Sequence, residues 1–251
     1  DFHCIAPDWP LGAHTEPMSP SADLRPDALA RLVAEFLEAL DLHDVVLVAA
    51  DTGGAIAQIT IANHPERIGG LVLTNCDAFE NFFPPALRAL TYLAPLPGFI
   101  DALAFALRAP ALQRAVAWAV AHRRPTPEIL RSYFGPFTTN PGVRRDARDV
   151  FAAVRARYTL EAARSFGAFQ NPVGIGWGED DRLFFPMRYA ERLRDAFPNA
   201  RLRTFPGSRT FVSEDAPGPL ATFIAEIARD GAPIVAPAET PEVRTEDSVV
   251  S

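Results

Sequence analysis

One carboxylate in this sequence stands where it could act as a nucleophile. Residues 45–50 read Val-Val-Leu-Val-Ala-Ala, a β-branched apolar run of strand type, and the run stops at Asp51. Thr52, Gly53 and Gly54 follow, and then a helical pattern begins. Small residues lie two before the carboxylate (Ala49) and two after it (Gly53). A strand that turns sharply into a helix needs them, because bulk at either position is expected to clash where strand and helix nearly touch. A carboxylate is ionised near neutral pH and attacks an electrophilic carbon unaided. Asp51 could equally be the N-cap of the helix, accepting an N–H bond without reacting. Lysine is absent and all 24 basic residues are arginine. That excludes Schiff-base chemistry and a phosphate-loop lysine within this sequence, and points to a GC-rich bacterial coding sequence.

The elements that must position Asp51 follow from periodicity. Leu29, Leu32, Val33, Phe36, Leu37 and Leu40 recur at three- and four-residue steps, which predicts a helix over 23–42. The helix after the apex spans 54–64 and aims its N-terminus at Asp51, favouring the ionised carboxylate. Residues 70–75 read as a buried strand, so strand, helix and strand make a right-handed βαβ unit in a parallel sheet. From 77 to 170 the pattern changes to Ala- and Leu-rich helical segments broken by prolines, with no good strand. The sheet resumes at 173–177, a helix covers 187–197, a last strand covers 200–205 and a final helix covers 216–229. Residues 230–251 have little apolar periodicity and read as a disordered tail.

A Gly-x-Ser-x-Gly nucleophile elbow is the signature of α/β-hydrolases. With Asp51 at the apex, the chain resembles the aspartate-nucleophile branch of that superfamily, which includes haloalkane dehalogenases and epoxide hydrolases. The resemblance implies an α/β fold, a doubly wound and mostly parallel sheet with a helical cap inserted after the strand at 70–75. Domain boundaries follow as core 1–77, cap 78–170, core 171–229 and tail 230–251. It also implies that residues 2–8 form the family's fourth strand, and that the three strands before it, with the loop after the third, are missing.

The same resemblance distributes the site residues. Asp181, in Gly178-Glu179-Asp180-Asp181, matches the family's triad acid, with Asp180 as the neighbouring alternative and an Asp-rich turn as the plain one. One extra residue sits before Pro186, in Phe184-Phe185. Thr52 and Gly53 take the oxyanion and elbow positions. Phe82, Trp118, Tyr133 and Phe137 are expected to line an apolar pocket under the cap, as are Phe79, Phe83 and Phe134, although aromatics there are often only core. After the last strand the family presents a histidine that activates water; here Thr210 stands in its place. The histidines are His3, His14, His43, His64 and His122, and only His122 falls where it could reach the pocket.

These readings give two functions. One is a hydrolase acting on a small apolar electrophile (haloalkane, epoxide or ester) through Asp51 and a covalent ester, its turnover impaired by Thr210. The other is an inactive relative that binds an apolar ligand or a protein partner. Thr52 stands where dehalogenases place a halide-binding tryptophan, and Tyr133 and Tyr158 are available for the tyrosines of epoxide hydrolases. No nucleic-acid partner is expected at a net charge of −7. No apolar run is long enough to span a membrane, and no secretory signal opens the sequence. Cys4 and Cys76 lack metal-type spacing, so the expectation is a reduced cytoplasmic protein with no metal and no cofactor. The sequence leaves oligomeric state open.

Overall fold

The computed structural model describes residues 2–231. Four strands carry the fold: β1 (Val45–Ala50), β2 (Ile68–Cys76), β3 (Val173–Gly178) and β4 (Ala200–Phe205). They lie in the order β1-β2-β3-β4 and every neighbouring pair is parallel. β2 and β3 are buried along their whole length. That accounts for their continuous apolar or glycine-rich runs, since a parallel strand covered on both faces has no polar side to show.

Helices supply the two covers. On one face α1 (Pro26–Ala39), α2 (Asp51–Asn63) and α9 (Arg188–Ala196) bury Leu71, Leu73, Val173 and Ile175. On the other face α11 (Pro217–Gly231) packs Leu220, Phe223 and Ile227 against Val72 and Phe205. β2 thus alternates its side chains between two cores, as a pleated strand must. The final helix reaches Gly231, so Asp230 and Gly231 are helical and the rest of the expected tail lies outside the described residues.

Between β2 and β3 the chain is helical: α3 (Arg88–Leu93), α4 (Phe99–Ala106), α5 (Pro110–Val120), α6 (Pro127–Thr139), α7 (Pro141–Ala153), α8 (Ala156–Ala162) and a 3₁₀ turn (Ala163–Ala168). Proline opens α5, α6 and α7 within their first turn, where its missing N–H costs nothing. This stretch has its own core of Ala94, Ile100, Ala104, Phe137 and Ala147.

The expected strand at 2–8 does not form; these residues are irregular and mostly exposed. β1 pairs with β2 and with no other strand among the described residues. Two prolines, Pro7 and Pro10, end the N-terminal run, and Trp9 instead turns inward to meet Phe36 of α1 with ring centroids 5.4 Å apart. Local β propensity had no partner strand to answer it, and propensity alone does not make a strand.

Candidate functional site

The site lies at the C-terminal edge of the sheet, where ligands of open parallel sheets collect. Ala50 ends β1 in extended conformation (φ −135°, ψ 162°), and the next residue, Asp51, sits at φ 51° as the first residue of α2. A non-glycine residue in this left-handed region is strained and persists only where its surroundings hold it. What holds it is the end of β2: Asp77 N–H donates to the Asp51 carbonyl at 3.2 Å, continuing the ladder past the turn. Gln58, fully buried on α2, donates to the Asp77 carbonyl at 2.8 Å and to the Gly54 carbonyl at 2.9 Å.

The close approach of helix to sheet falls at a different glycine from the expected one. A Cβ on Gly53 would meet nothing within 4 Å, whereas one on Gly54 would lie 2.3 Å from Cys76 Cβ. Gly53 faces a groove instead, because the turn at Asp51 rotates the first helical residues away from β2. Thr52 sends its hydroxyl to Asp77 Oδ2 at 3.2 Å.

Across the sheet edge stands a second carboxylate. Asp181 is buried and accepts from Thr210 Oγ1 at 2.6 Å, from the backbone N–H groups of Phe184 and Phe185 at 2.9 and 3.2 Å, and from Asn75 Nδ2 at 3.4 Å. Phe184 and Phe185 therefore bring two donors to one carboxylate oxygen. Asn75 also bonds the Gly178 N–H and carbonyl, tying the ends of β2 and β3 together. Asp180 faces outward and pairs with His122 at 2.8 Å, both exposed. His122 is thus engaged by Asp180 at the surface and makes no hydrogen bond to Asp181 or Thr210 among the described residues. His43 bonds Asp41 and Arg67 at the opposite end of β1.

Burial pushes the Asp51 carboxyl up to about 6; the Thr52 backbone N–H opposes this and the Asp181 charge adds to it. Part of the Asp51 surface still reaches solvent. Asp77 is fully buried, and burial, then the Asp51 charge, holds its carboxyl well above the ordinary range against the Thr52 hydrogen bond. The sequence reading missed Asp77 and Asn75. Their position at the C-terminal end of a buried parallel strand, one strand from the elbow, was the available signal.

The four expected pocket residues are dispersed. Trp118 is 59% exposed, with the Arg209 guanidinium stacked 4.2 Å from its ring. Tyr133 donates its hydroxyl to Glu214 Oε1 at 2.5 Å, and burial with that bond raises its phenol. Phe137 belongs to the core of the helical stretch. Phe82 packs with Phe83 and Val154 on Ala55 of α2, nearest the elbow of the four. None of them lines the apolar groove beside the elbow, which has a volume of about 250 Å³ and is lined by Trp9, Leu29, Val33, Val48, Gly53 and Ile56 among others. Pocket position depends on how helices cross, which aromatic content does not encode.

Two strand-end carboxylates facing each other across a parallel sheet, one at a strained strand-to-helix apex, define a hydrolase-type edge. Residues 1–217 match the family described as the alpha/beta hydrolase fold, and the chain belongs to it. Within that family its similarities are dehalogenase-like. It is 27% identical over 234 residues to haloalkane dehalogenase 2 of Mycobacterium bovis, covering 90% of this chain and 78% of that one. A haloalkane dehalogenase of Mesorhizobium japonicum is 40% identical over 85 residues, 34% of this chain and 25% of that one. Among solved structures, an alpha/beta hydrolase fold protein from Burkholderia ambifaria superposes with a TM-score of 0.69 at 25% identity, covering 82% of this chain and 74% of that chain. A putative ancestral haloalkane dehalogenase shares the fold with a TM-score of 0.68 at 22% identity, over 86% and 80% of the two chains. Among the described residues no helix is long and apolar enough to cross a membrane, and no cluster of His, Cys, Asp and Glu is suited to a metal ion.

Proposed function

We propose that this protein is a dehalogenase-like hydrolase in which Asp51 attacks a small apolar electrophile and forms a covalent ester. The observation that carries this reading is Asp51 itself, a half-buried residue at φ 51° on the head of α2. A helix N-cap needs no such strain, since capping residues sit comfortably in extended conformation; here Ala50 occupies the cap position and Asp51 is thrust beyond it. The apolar groove that reaches Ala50 and Gly53 supports a hydrocarbon-bearing substrate. Its kinship with enzymes named haloalkane dehalogenases supports carbon–halogen bonds as the first class to try. The helices between β2 and β3 act in this reading as a cap that keeps water from the first step.

Attack by an Asp51 oxygen makes a C–O bond as the leaving group departs with its electron pair. Asp181 and Thr210 form the second half of the site. Thr210 gives its only hydroxyl proton to Asp181 and has no basicity with which to activate water. Without a base at Thr210, cleavage of the ester is expected to be slow enough for the adduct to be observed. The second reading, a relative that binds an apolar ligand without turnover, rests on that same Thr210.

The experiment is intact-protein mass after incubation with 1-bromohexane, styrene oxide or 4-nitrophenyl butyrate, alongside Asp51→Asn. An adduct on the wild type alone is the expected result. No adduct and no product with any of them would favour the binding reading.

A further inference from the structure

The carboxylates at this edge of the sheet are held in opposite ways. Asp181 accepts from four donors, Thr210, Asn75 and the amides of Phe184 and Phe185. Both oxygens of that carboxylate are therefore met by protein donors. Asp77 is fully buried, receives one bond from Thr52 Oγ1 at 3.2 Å, and has an Oδ1 with no hydrogen-bond partner among the described residues. A carboxylate out of water with a single donor is a strong base. Its place is set by two links to the elbow, its own N–H on the Asp51 carbonyl and its Oδ2 on the hydroxyl of the residue after Asp51.

We propose that Asp77 is the general base of the second half-reaction, taking a proton from the water that hydrolyses the Asp51 ester. This rests on the reading of Asp51 as nucleophile. The step balances without any further reactant. Water oxygen bonds to Asp51 Cγ as one water proton passes to Asp77. The bond from Cγ to the alcohol oxygen then breaks, and the protonated Asp77 returns its proton to the departing alkoxide. Asp51 is left as a carboxylic acid that loses its proton to solvent, and Asp77 is a carboxylate again.

The charge logic supports the order of events. The groups facing Asp77 are Asp51 and Thr52 from α2 and Cys76 beside it on β2, with the uncharged Gln58 behind. While Asp51 is charged, burial and that charge both push the Asp77 carboxyl above its ordinary range. Ester formation removes the Asp51 charge, so the repulsion between the two carboxylates is absent at the stage when an ester is to be cleaved.

The test follows the Asp51 adduct made with 1-bromohexane by intact mass, with bromide release measured in parallel, in wild type and Asp77→Asn. Both are expected to form the adduct and release one equivalent of bromide. In wild type the adduct decays, faster as pH rises through one ionisation; in Asp77→Asn decay is 10²- to 10⁴-fold slower and flat with pH. Equal decay in the two proteins, or a wild-type adduct that never decays, overturns the proposal while leaving Asp51 as nucleophile. No adduct and no bromide in wild type overturns the nucleophile reading and this inference with it. If Asp77→Asn lacks a cooperative thermal transition, Thr52→Val decides. Removing the one donor to the Asp77 carboxylate is expected to shift the pH midpoint of decay upward, and an unmoved midpoint overturns the proposal.

Discussion

At the scale of single residues the site is a place where charge is expensive. A carboxyl raised from 3.8 to about 6 by burial costs the folded protein about 3 kcal/mol when ionised. Because the folded state holds this proton more tightly than the unfolded chain, stability declines as pH rises from about 4 to 6 and is level above that. Asp51→Asn is therefore expected to be more stable than wild type by about 1–2 kcal/mol at pH 8, with the gap closing below pH 4; thermal melts across pH check this. An Asn no more stable than Asp at pH 8 would show that the carboxylate is better solvated than its surroundings indicate. Thr210 offers the complementary change. Thr210→His places an imidazole beside Asp181, and decay of an Asp51 ester is expected to quicken by at least about 100-fold. The rate of adduct loss by intact mass reads it directly.

At the scale of elements, the fold places these residues by bringing backbones closer than side chains allow. Gly54 lets α2 touch Cys76 at the end of β2, and Gly178 lets the segment after β4 cross the end of β3. A Cβ on Gly178 would lie 2.4 Å from the Arg209 carbonyl and 2.6 Å from that of Ser208. Since backbone cannot swing aside as a side chain can, Gly178→Ala is expected to cost about 1–3 kcal/mol. It should also pull Thr210 from Asp181. Chemical denaturation measures the first effect. Faster amide exchange confined to residues 206–211 reports the second, and unchanged exchange there would contradict it. The same crossing carries the helices between β2 and β3. Asp215 accepts from the N–H groups of His122, Arg123 and Arg209 at 3.1, 2.8 and 3.0 Å, and Phe211 N–H bonds the Val120 carbonyl at 2.8 Å. The segment that bears Thr210 is thereby fastened to the end of α5.

At the scale of the whole molecule, one buried pair fastens the N-terminal loop to the helical stretch. Asp146 on α7 accepts from His14 Nε2 at 3.0 Å and from Met18 N–H at 2.7 Å, and Arg145 flanks it at 2.6 Å. Burial alone would raise the Asp146 carboxyl, but the His14, Met18 and Arg145 contacts outweigh it and hold it below its ordinary value. A lowered acid contributes stability above the ordinary carboxylate range and loses it as pH falls through its folded value. Asp146→Asn is expected to cost about 2–3 kcal/mol at pH 7, and the difference should vanish in acid below about pH 3. Melting curves at the two pH values test it; a difference independent of pH would assign the effect to packing.

Most of the fold was legible because it is local. The 3.6-residue repeat of α1, the βαβ unit around Asp51, the apolar runs of β2 to β4 and the proline-opened helices depend on neighbours in sequence. The elements found differ from those expected by a few residues at their ends. Asp51 was visible from its place at the end of a strand, and Asp181 and Thr210 from the family resemblance that the elbow implies. What the sequence did not hold was decided by tertiary packing. No partner strand meets residues 2–8, so their β pattern stays irregular. Gly54 rather than Gly53 takes the close contact, because the turn at Asp51 sets which face of α2 meets Cys76. Trp118, Tyr133 and Phe137 are drawn to Arg209, Glu214 and an inner core of the helical stretch, because an aromatic serves whichever neighbour the helix crossings bring to it. Asp77 gains its strained electrostatics only when β2 delivers it beside Thr52. Spacing and family resemblance name the residues that could do chemistry; contacts far apart in sequence determine which carboxylate is met by four donors and which is buried with one.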